Sequence, residues 1–313
     1  MIEEVIVSGR SNPEIDPFLH VWGWEIPFYL FIGGLVAGIL FFSALFTIRG
    51  KEEEFPTAVK LAPMMTPILL GLGLFSLLLD LSHKLYFWQL YTNIRWESPM
   101  SWGAWTLMII YPLTIIWSAI WLKDVFPKWD WKFQWIDEGL EIIRHYKKAL
   151  AWSLMILSII LGMYTGILLS AFNARPFWNT AILGPLFLTS GLSAGAALII
   201  LMSKASKEKR LFARIDLMLI GTELFLIIHL FMGFLAGTNV HIEAAKLFLG
   251  GEFTISFWIF VVFGGLIFPA ILEILELQKV KIPHYISAML VLFGSLALRF
   301  IVVDAGQASR WLY

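Results

Sequence analysis

The feature that most limits how this sequence can fold is a succession of long stretches without a single charged side chain: Ile26–Ile48, Leu61–Leu79, Trp102–Leu122, Ala149–Phe172, Asn179–Ser203 and Phe253–Leu272. A hydrocarbon core of about 30 Å is crossed by about 20 helical residues, so each is long enough to span a bilayer. Two further apolar stretches contain ionisable groups: about 214–237, interrupted by Glu223, and about 285–304, interrupted by Arg299 and closed by Asp304. The spacing predicts an all-α integral membrane protein with eight transmembrane helices. An even number of spans puts both termini on one side.

Lys and Arg orient the bundle, because cytoplasmic loops hold their excess. The loops after the first, third, fifth and seventh stretches carry most of them, including Arg49, Lys51, Lys60, Lys147, Lys207 and Arg210. The expectation is a multi-pass protein of a bacterial or archaeal cytoplasmic (inner) membrane, with both termini periplasmic or outside. The first 25 residues are acidic and polar, without the basic start of a cleavable signal, so the first helix is expected to stay as an anchor. The loop 123–148 alternates aromatic and charged residues from Lys123 to Trp135 and then becomes helical in pattern, as expected of a segment in the cytoplasmic headgroup layer.

Composition excludes much chemistry. With no cysteine, the chain has no ligand for an iron–sulfur cluster, a thiolate zinc site or a covalent c-type haem. Of six histidines only His229 lies well inside a span, which argues against a dihaem cytochrome. Basic and acidic residues balance at 23 each, so nothing points to nucleic acid.

Burying a charge at the bilayer centre costs about 2.5 kcal/mol or more, so intramembrane ionisable groups are functional candidates. They collect at the outer helix ends: Glu25 and Tyr29 on the first helix, Asp80 and His83 after the second, Tyr164 on the fourth, Asn173, Arg175 and Asn179 before the fifth, and Arg299 and Asp304 on the eighth. A deeper set lies on the sixth helix. Glu223 stands about 14 Å above residue 214, and Asp216 falls within about 20° of it on the same face, whereas His229 points about 120° away. Asp216, Glu223, Arg299 and Asp304 are thus candidates for a proton path. Gly34-Leu-Val-Ala-Gly38 is echoed by Gly191-Leu-Ser-Ala-Gly195 four helices later, which predicts close helix packing there and hints at two parallel halves.

Five ordered motifs carry a family resemblance over nearly the whole chain. Trp24-Glu-Ile-Pro-Phe-Tyr-Leu-Phe-Ile-Gly-Gly34, Ser98-Pro-Met-Ser-Trp-Gly-Ala-Trp105, Tyr164-Thr-Gly-Ile-Leu-Leu-Ser170, Asn173-Ala-Arg-Pro-Phe-Trp-Asn179 and Arg299-Phe-Ile-Val-Val-Asp-Ala-Gly-Gln307 resemble the NrfD-like family, the membrane subunits of polysulfide reductase and related complexes. The resemblance implies two four-helix bundles, here 26–172 and 173–313 after an outer tail 1–25, with no haem. It also implies a non-covalent quinone, menaquinone or ubiquinone. An iron–sulfur subunit with four [4Fe–4S] clusters would dock on the outer face, with a molybdopterin catalytic subunit beyond it.

Carried onto this sequence, Tyr164 matches the family's quinone-site tyrosine and Tyr29 a position where some relatives hold histidine. Asp80 begins the helix-two motif, in which Ser82-His83-Lys84 replaces the usual Gly-Arg-Pro. The implied catalytic set is Tyr164, Asp80, Tyr29, Glu25 and His83. The implied cofactor-binding set is Tyr164, Tyr29, Asp80, Asn173, Arg175 and Asn179. The chain is expected to act as the quinone-reactive subunit of an oxidoreductase and not alone. The alternative is a secondary transporter with a buried carboxylate, which predicts Gly/Pro breaks at the midplane of corresponding helices in both halves.

Overall fold

The computed structural model describes residues 21–129, 134–278, 280 and 283–311. Most of the N-terminal tail, the Asp130–Phe133 part of the aromatic loop, and Lys279 and Lys281 lie outside the described residues. Eight helices among the described residues are long and apolar enough to span a membrane: α1 Glu25–Ile48, α2 Thr57–Asp80, α3 Pro99–Val125, α4 Lys147–Ser170, α5 Leu183–Met202, α6 Ser206–Leu235, α7 Thr254–Leu277 and α8 His284–Ala308. No strand occurs among the described residues. The chain is an integral membrane protein, all-α, with the eight spans that the six charge-free stretches and the two interrupted apolar stretches predict.

Several boundaries differ from the sequence reading, and two of the differences reposition polar groups. The α5 helix starts at Leu183, because Phe172–Asn179 fold as successive turns that dock on α8. The α7 helix runs on to Leu277 and takes Glu273 and Glu276 with it, because both carboxyl groups find cover inside the bundle.

Small residues decide which helices meet. The two glycine motifs face one another: a Cβ on Gly191 would lie 2.7 Å from the Gly34 carbonyl oxygen, one on Gly195 2.6 Å from the Gly38 carbonyl carbon, and one on Gly38 would collide with the Gly191 carbonyl. The α1 and α5 backbones touch along this seam, where van der Waals packing replaces the hydrophobic drive that lipid does not supply. Around the seam, α1 also packs on α2, α4 and α8, and α5 on α4, α6 and α8. The α1 and α5 helices are accordingly the most enclosed of the eight.

Proline shapes α2. Pro63 cannot donate to the Val59 carbonyl four residues earlier, and Ser43 Oγ of α1 donates to that oxygen instead at 3.0 Å. Pro67 leaves the Pro63 carbonyl short in the same way, and it accepts from Thr66 Oγ1 at 2.8 Å and Ser118 Oγ of α3 at 2.9 Å. The first turns of α2 open into wide π geometry over Thr57–Leu61 and tighten to 3-10 over Ala62–Met65. The α7 helix holds a wide π stretch at Phe257–Ile267.

At the end of the bundle that carries Arg49, an amphipathic helix, Gln134–His145, follows α3. Ion pairs fasten its surroundings to α2 and α3: Lys123 to Asp137 at 2.6 Å, Arg144 to Asp124 at 2.7 Å, and Lys60 to Asp124 at 3.5 Å. Lys60, Arg144 and Lys147 surround the Trp121 ring at 5.2–5.5 Å.

Candidate functional site

At the opposite end, which carries Tyr29, polar groups from the first four helices converge. Ser76 Oγ donates to the Glu25 carbonyl oxygen at 2.7 Å and fastens α2 to the start of α1. The Asp80 and Glu25 carboxyl groups sense each other electrostatically, and the Tyr29 hydroxyl senses those of Tyr164 and Tyr91. Tyr29 is 2% exposed, and its hydroxyl has no hydrogen-bond partner among the described residues. A buried donor left unmade costs about 1–3 kcal/mol, so an orphan of this kind calls for an explanation.

Tyr164 is 8% exposed, and its ring rests on the backbone of α3, where a Cβ at Gly103 would collide with the phenol. On its other side it lines an apolar groove of about 430 Å³ between α3 and α4, with Trp96, Glu97, Trp102, Met163 and Ile167. A second groove of about 300 Å³ shares Trp96, Trp102 and Thr106 with it and adds Trp105, whose Nε1 is a second buried donor without a described partner. A polar recess of about 750 Å³ over the same end is lined by the 81–101 segment, including His83 and Arg95. Tyr91, half-buried in this segment, has its phenol pushed above the usual range by burial.

Tyr164, Tyr29, Asp80 and Glu25 therefore meet at one helix end, whereas His83 is exposed in the adjoining recess. The motif before α5 has another partner. Arg175 Nη1 donates to the Ser309 carbonyl at 2.9 Å, Trp178 Nε1 donates to the Val302 carbonyl at 2.8 Å, and a Cβ at Gly306 would collide with the Trp178 ring. A guanidinium at the carbonyl end of α8 suits the helix dipole. Asn173 is exposed, and its carbonyl accepts from Trp311 Nε1 at 3.2 Å, while Asn179 is partly buried. Gln307 ties down the segment before α1, accepting from the Val21 and Trp22 amides at 2.8 and 2.9 Å.

A second polar line runs through α5, α6, α7 and α8. Asp216 and Glu223 are both buried on one face of α6, and His229 is exposed, in agreement with the helical angles. Ser193 Oγ donates to Asp216 Oδ1 at 2.5 Å, and the Asp216 and Glu273 carboxyl groups are electrostatic neighbours, with Asp216 Oδ2 and both Glu273 oxygens lacking a hydrogen-bond partner among the described residues. Glu276 follows Glu273 one turn later and pairs with His284 at the Arg49 end. Glu223 is buried near Ser190, within electrostatic reach of Arg299. Arg299 is fully buried: Nη1 donates to Ser190 Oγ at 2.5 Å and to Ser295 Oγ at 2.7 Å, and Nη2 to the Phe187 carbonyl at 3.0 Å. Its guanidinium lies 5.0 Å from the Phe187 ring centroid and reaches the space left by Gly34. Asp304 is exposed one turn beyond.

Sequence reasoning missed Glu273, Glu276, Trp105 and the three serines. Glu273 and Glu276 end an otherwise apolar run at i, i+3 spacing, a signal that a search for charge-free windows discards. No group of three or more metal-ligating side chains occurs among the described residues.

Similarity to known proteins agrees with this architecture. The family model "Polysulphide reductase, NrfD" matches residues 13–309. A polysulfide reductase chain of Wolinella succinogenes is 32% identical over 315 residues, covering 92% of this sequence and 94% of that protein. "Protein NrfD" of Escherichia coli is 30% identical over 310 residues, covering 92% and 96%. A selenate reductase subunit of Mesobacillus selenatarsenatis is 25% identical, covering 90% and 73%. With all eight spans inside the matched region, this chain belongs to the NrfD family of polysulphide reductase membrane subunits.

Proposed function

We propose that this chain is the quinone-binding membrane subunit of a multi-subunit oxidoreductase, passing electrons between the membrane quinone pool and a peripheral iron–sulfur subunit. The observation that carries the reading is the orphaned Tyr29 hydroxyl, buried within electrostatic reach of Tyr164, whose ring forms one wall of an apolar groove. A quinone headgroup needs donors for two carbonyl oxygens and an apolar slot for its ring and tail. Tyr29 and Tyr164 supply the donors, and Trp96, Trp102 and Ile167 the slot. When bound, a quinone or quinol supplies two-electron, two-proton redox chemistry.

The protein's own part is to bind, orient and exchange protons. Asp80 and Glu25 stand at the mouth as proton acceptors, and His83 extends them into the recess above. Both termini and the Tyr29 end face outward, supported by the cationic loops at the other end, so the iron–sulfur subunit and a molybdopterin subunit behind it dock over the 81–101 segment. The contacts α1–α2, α2–α3, α3–α4 and α4–α1, and the matching set among α5 to α8, support two four-helix bundles joined along the glycine seam.

Quinol oxidation at an outer site with outward proton release moves no net charge, so coupling needs protons from the other side. His284, Glu276, Glu273, Asp216, Ser193, Glu223, Ser190 and Arg299 offer that route. Asp216 and Glu273 are neighbouring buried carboxyl groups, and a proton shared between two such groups suits a relay. Arg299 ends it beside Gly34, about 7.5 Å along α1 from Tyr29. The transporter alternative expects breaks in corresponding helices; the irregular turns fall in α2 and α7, which do not correspond across the halves.

The test is Glu223→Gln in the assembled complex reconstituted in vesicles. Proton translocation should fall while quinone binding stays unchanged; unaltered coupling would remove Glu223 from the route.

A further inference from the structure

At the Arg49 end, between the α1–α2 turn and the start of α6, lies a pocket of about 530 Å³ that the redox reading does not use. Its walls carry five cations, Arg49, Lys51, Lys207, Arg210 and Arg214, against one carboxylate, Glu54. Its apolar side is Phe46, Phe55 and Leu211, with the Phe46 and Phe55 rings 4.7 Å apart.

The pocket has a fixed frame. Glu208, fully buried behind it, accepts from the Ala58 amide at 2.8 Å and from Ser203 Oγ at 2.7 Å, so the start of α6 is bonded to the start of α2. Glu54 is occupied within the protein by Lys207 at 2.6 Å and Lys51 at 3.4 Å, and these cations hold its carboxyl below the usual range. Arg49, Arg210 and Arg214 form no ion pair within 4.0 Å among the described residues, although all three line one small volume. Like charges held together favour an anion, and the guanidinium fork matches phosphate oxygens.

We propose that this pocket binds the phosphate of an anionic phospholipid. A free phosphate would present the same oxygens, but the pocket suits the phosphate of a lipid. The pocket opens where spanning helices end, at headgroup depth, and its phenylalanine wall suits a glycerol backbone and first acyl carbons rather than a hydrated free ion. The lipid would bridge the α1–α2 turn to α6, the helix that carries Asp216 and Glu223. The inference needs only membrane insertion and does not depend on the quinone reading.

Native mass spectrometry of the purified full-length protein tests it, with phosphatidylglycerol, phosphatidylcholine of matched acyl chains, and inorganic phosphate as probes. One phosphatidylglycerol should be retained under activation that strips phosphatidylcholine. Replacing Arg49, Arg210 and Arg214 together by Ala should reduce the retained fraction by at least about tenfold, whereas Lys246→Ala at the other end should not. Glu54→Gln, which removes the internal counter-ion, should raise retention by about twofold and decides the matter if the triple variant folds poorly. Equal retention of the two lipids, no loss in the folded triple variant, or displacement of the lipid by millimolar inorganic phosphate would overturn the proposal.

Discussion

The ring of Tyr164 on α4 lies against the backbone of Gly103 on α3, with no room for a Cβ between them. A residue without a side chain thereby sets where the phenol points, and the α3–α4 groove takes its shape from that contact. Gly103→Ala is a direct probe. In a helix interior the change would by itself gain about 1 kcal/mol, but overpacking costs about 1–3 kcal/mol. The variant should lose thermal stability in detergent and bind a quinone analogue about tenfold more weakly, a loss of about 1.4 kcal/mol.

Tyr29→Phe separates a ligand-directed hydroxyl from a structural one. A buried hydroxyl that is already bonded within the protein contributes about 0.5–1.5 kcal/mol, which its removal would forfeit. Here nothing described accepts from it, so the ligand-free variant should unfold at the same temperature as wild type or higher, while quinone affinity falls by about tenfold. A clear drop in the unfolding temperature without ligand would place the hydroxyl in a hydrogen bond internal to the fold.

Gly38→Ala and Gly221→Ala form a matched pair. Both lie inside spanning helices, yet a Cβ at Gly38 collides with the Gly191 carbonyl, whereas one at Gly221 meets nothing within 4 Å. The Gly221 variant should be neutral or more stable by up to about 1 kcal/mol, and the Gly38 variant less stable by at least about 2 kcal/mol. Unfolding in mixed micelles measures both. Equal effects would mean that the α1–α5 seam is not closely packed.

Asp216→Asn and Glu273→Gln should each keep the fold, since a neutral amide packs beside the remaining carboxyl group, while lowering proton translocation by the reconstituted complex as is expected of Glu223→Gln. Electron transfer to the partner measured without a membrane gradient should be unchanged. Loss of folding in both variants would make the pair a structural bond rather than a relay.

Much of this architecture is legible in the sequence because the bilayer simplifies the problem. A charge-free stretch long enough to span is read as a helix, which gives six spans, and the two apolar runs interrupted by Glu223 and Arg299 complete the eight. The glycine motifs announce the α1–α5 contact because only small residues allow backbones to meet. What the sequence hides is whatever depends on a partner brought from elsewhere. Glu273 looks like the polar end of a span until α6 places Asp216 beside it. Ser190, Ser193 and Ser295 read as small packing residues until Arg299 and Asp216 use their hydroxyls. Arg175 reads as an outer-site cation until its guanidinium is found on the last carbonyls of α8.

The central claim is that Tyr29 and Tyr164 form a quinone site. It is tested most directly by titrating a fluorescent quinone analogue into the detergent-purified protein, alone and co-expressed with its partner subunit, and comparing wild type with Tyr29→Phe, Tyr164→Phe and Asp80→Asn. The account predicts one analogue per protein molecule and weaker binding in all three folded variants. Binding with unchanged affinity in both tyrosine variants, or no binding by folded wild type even with the partner present, would contradict it.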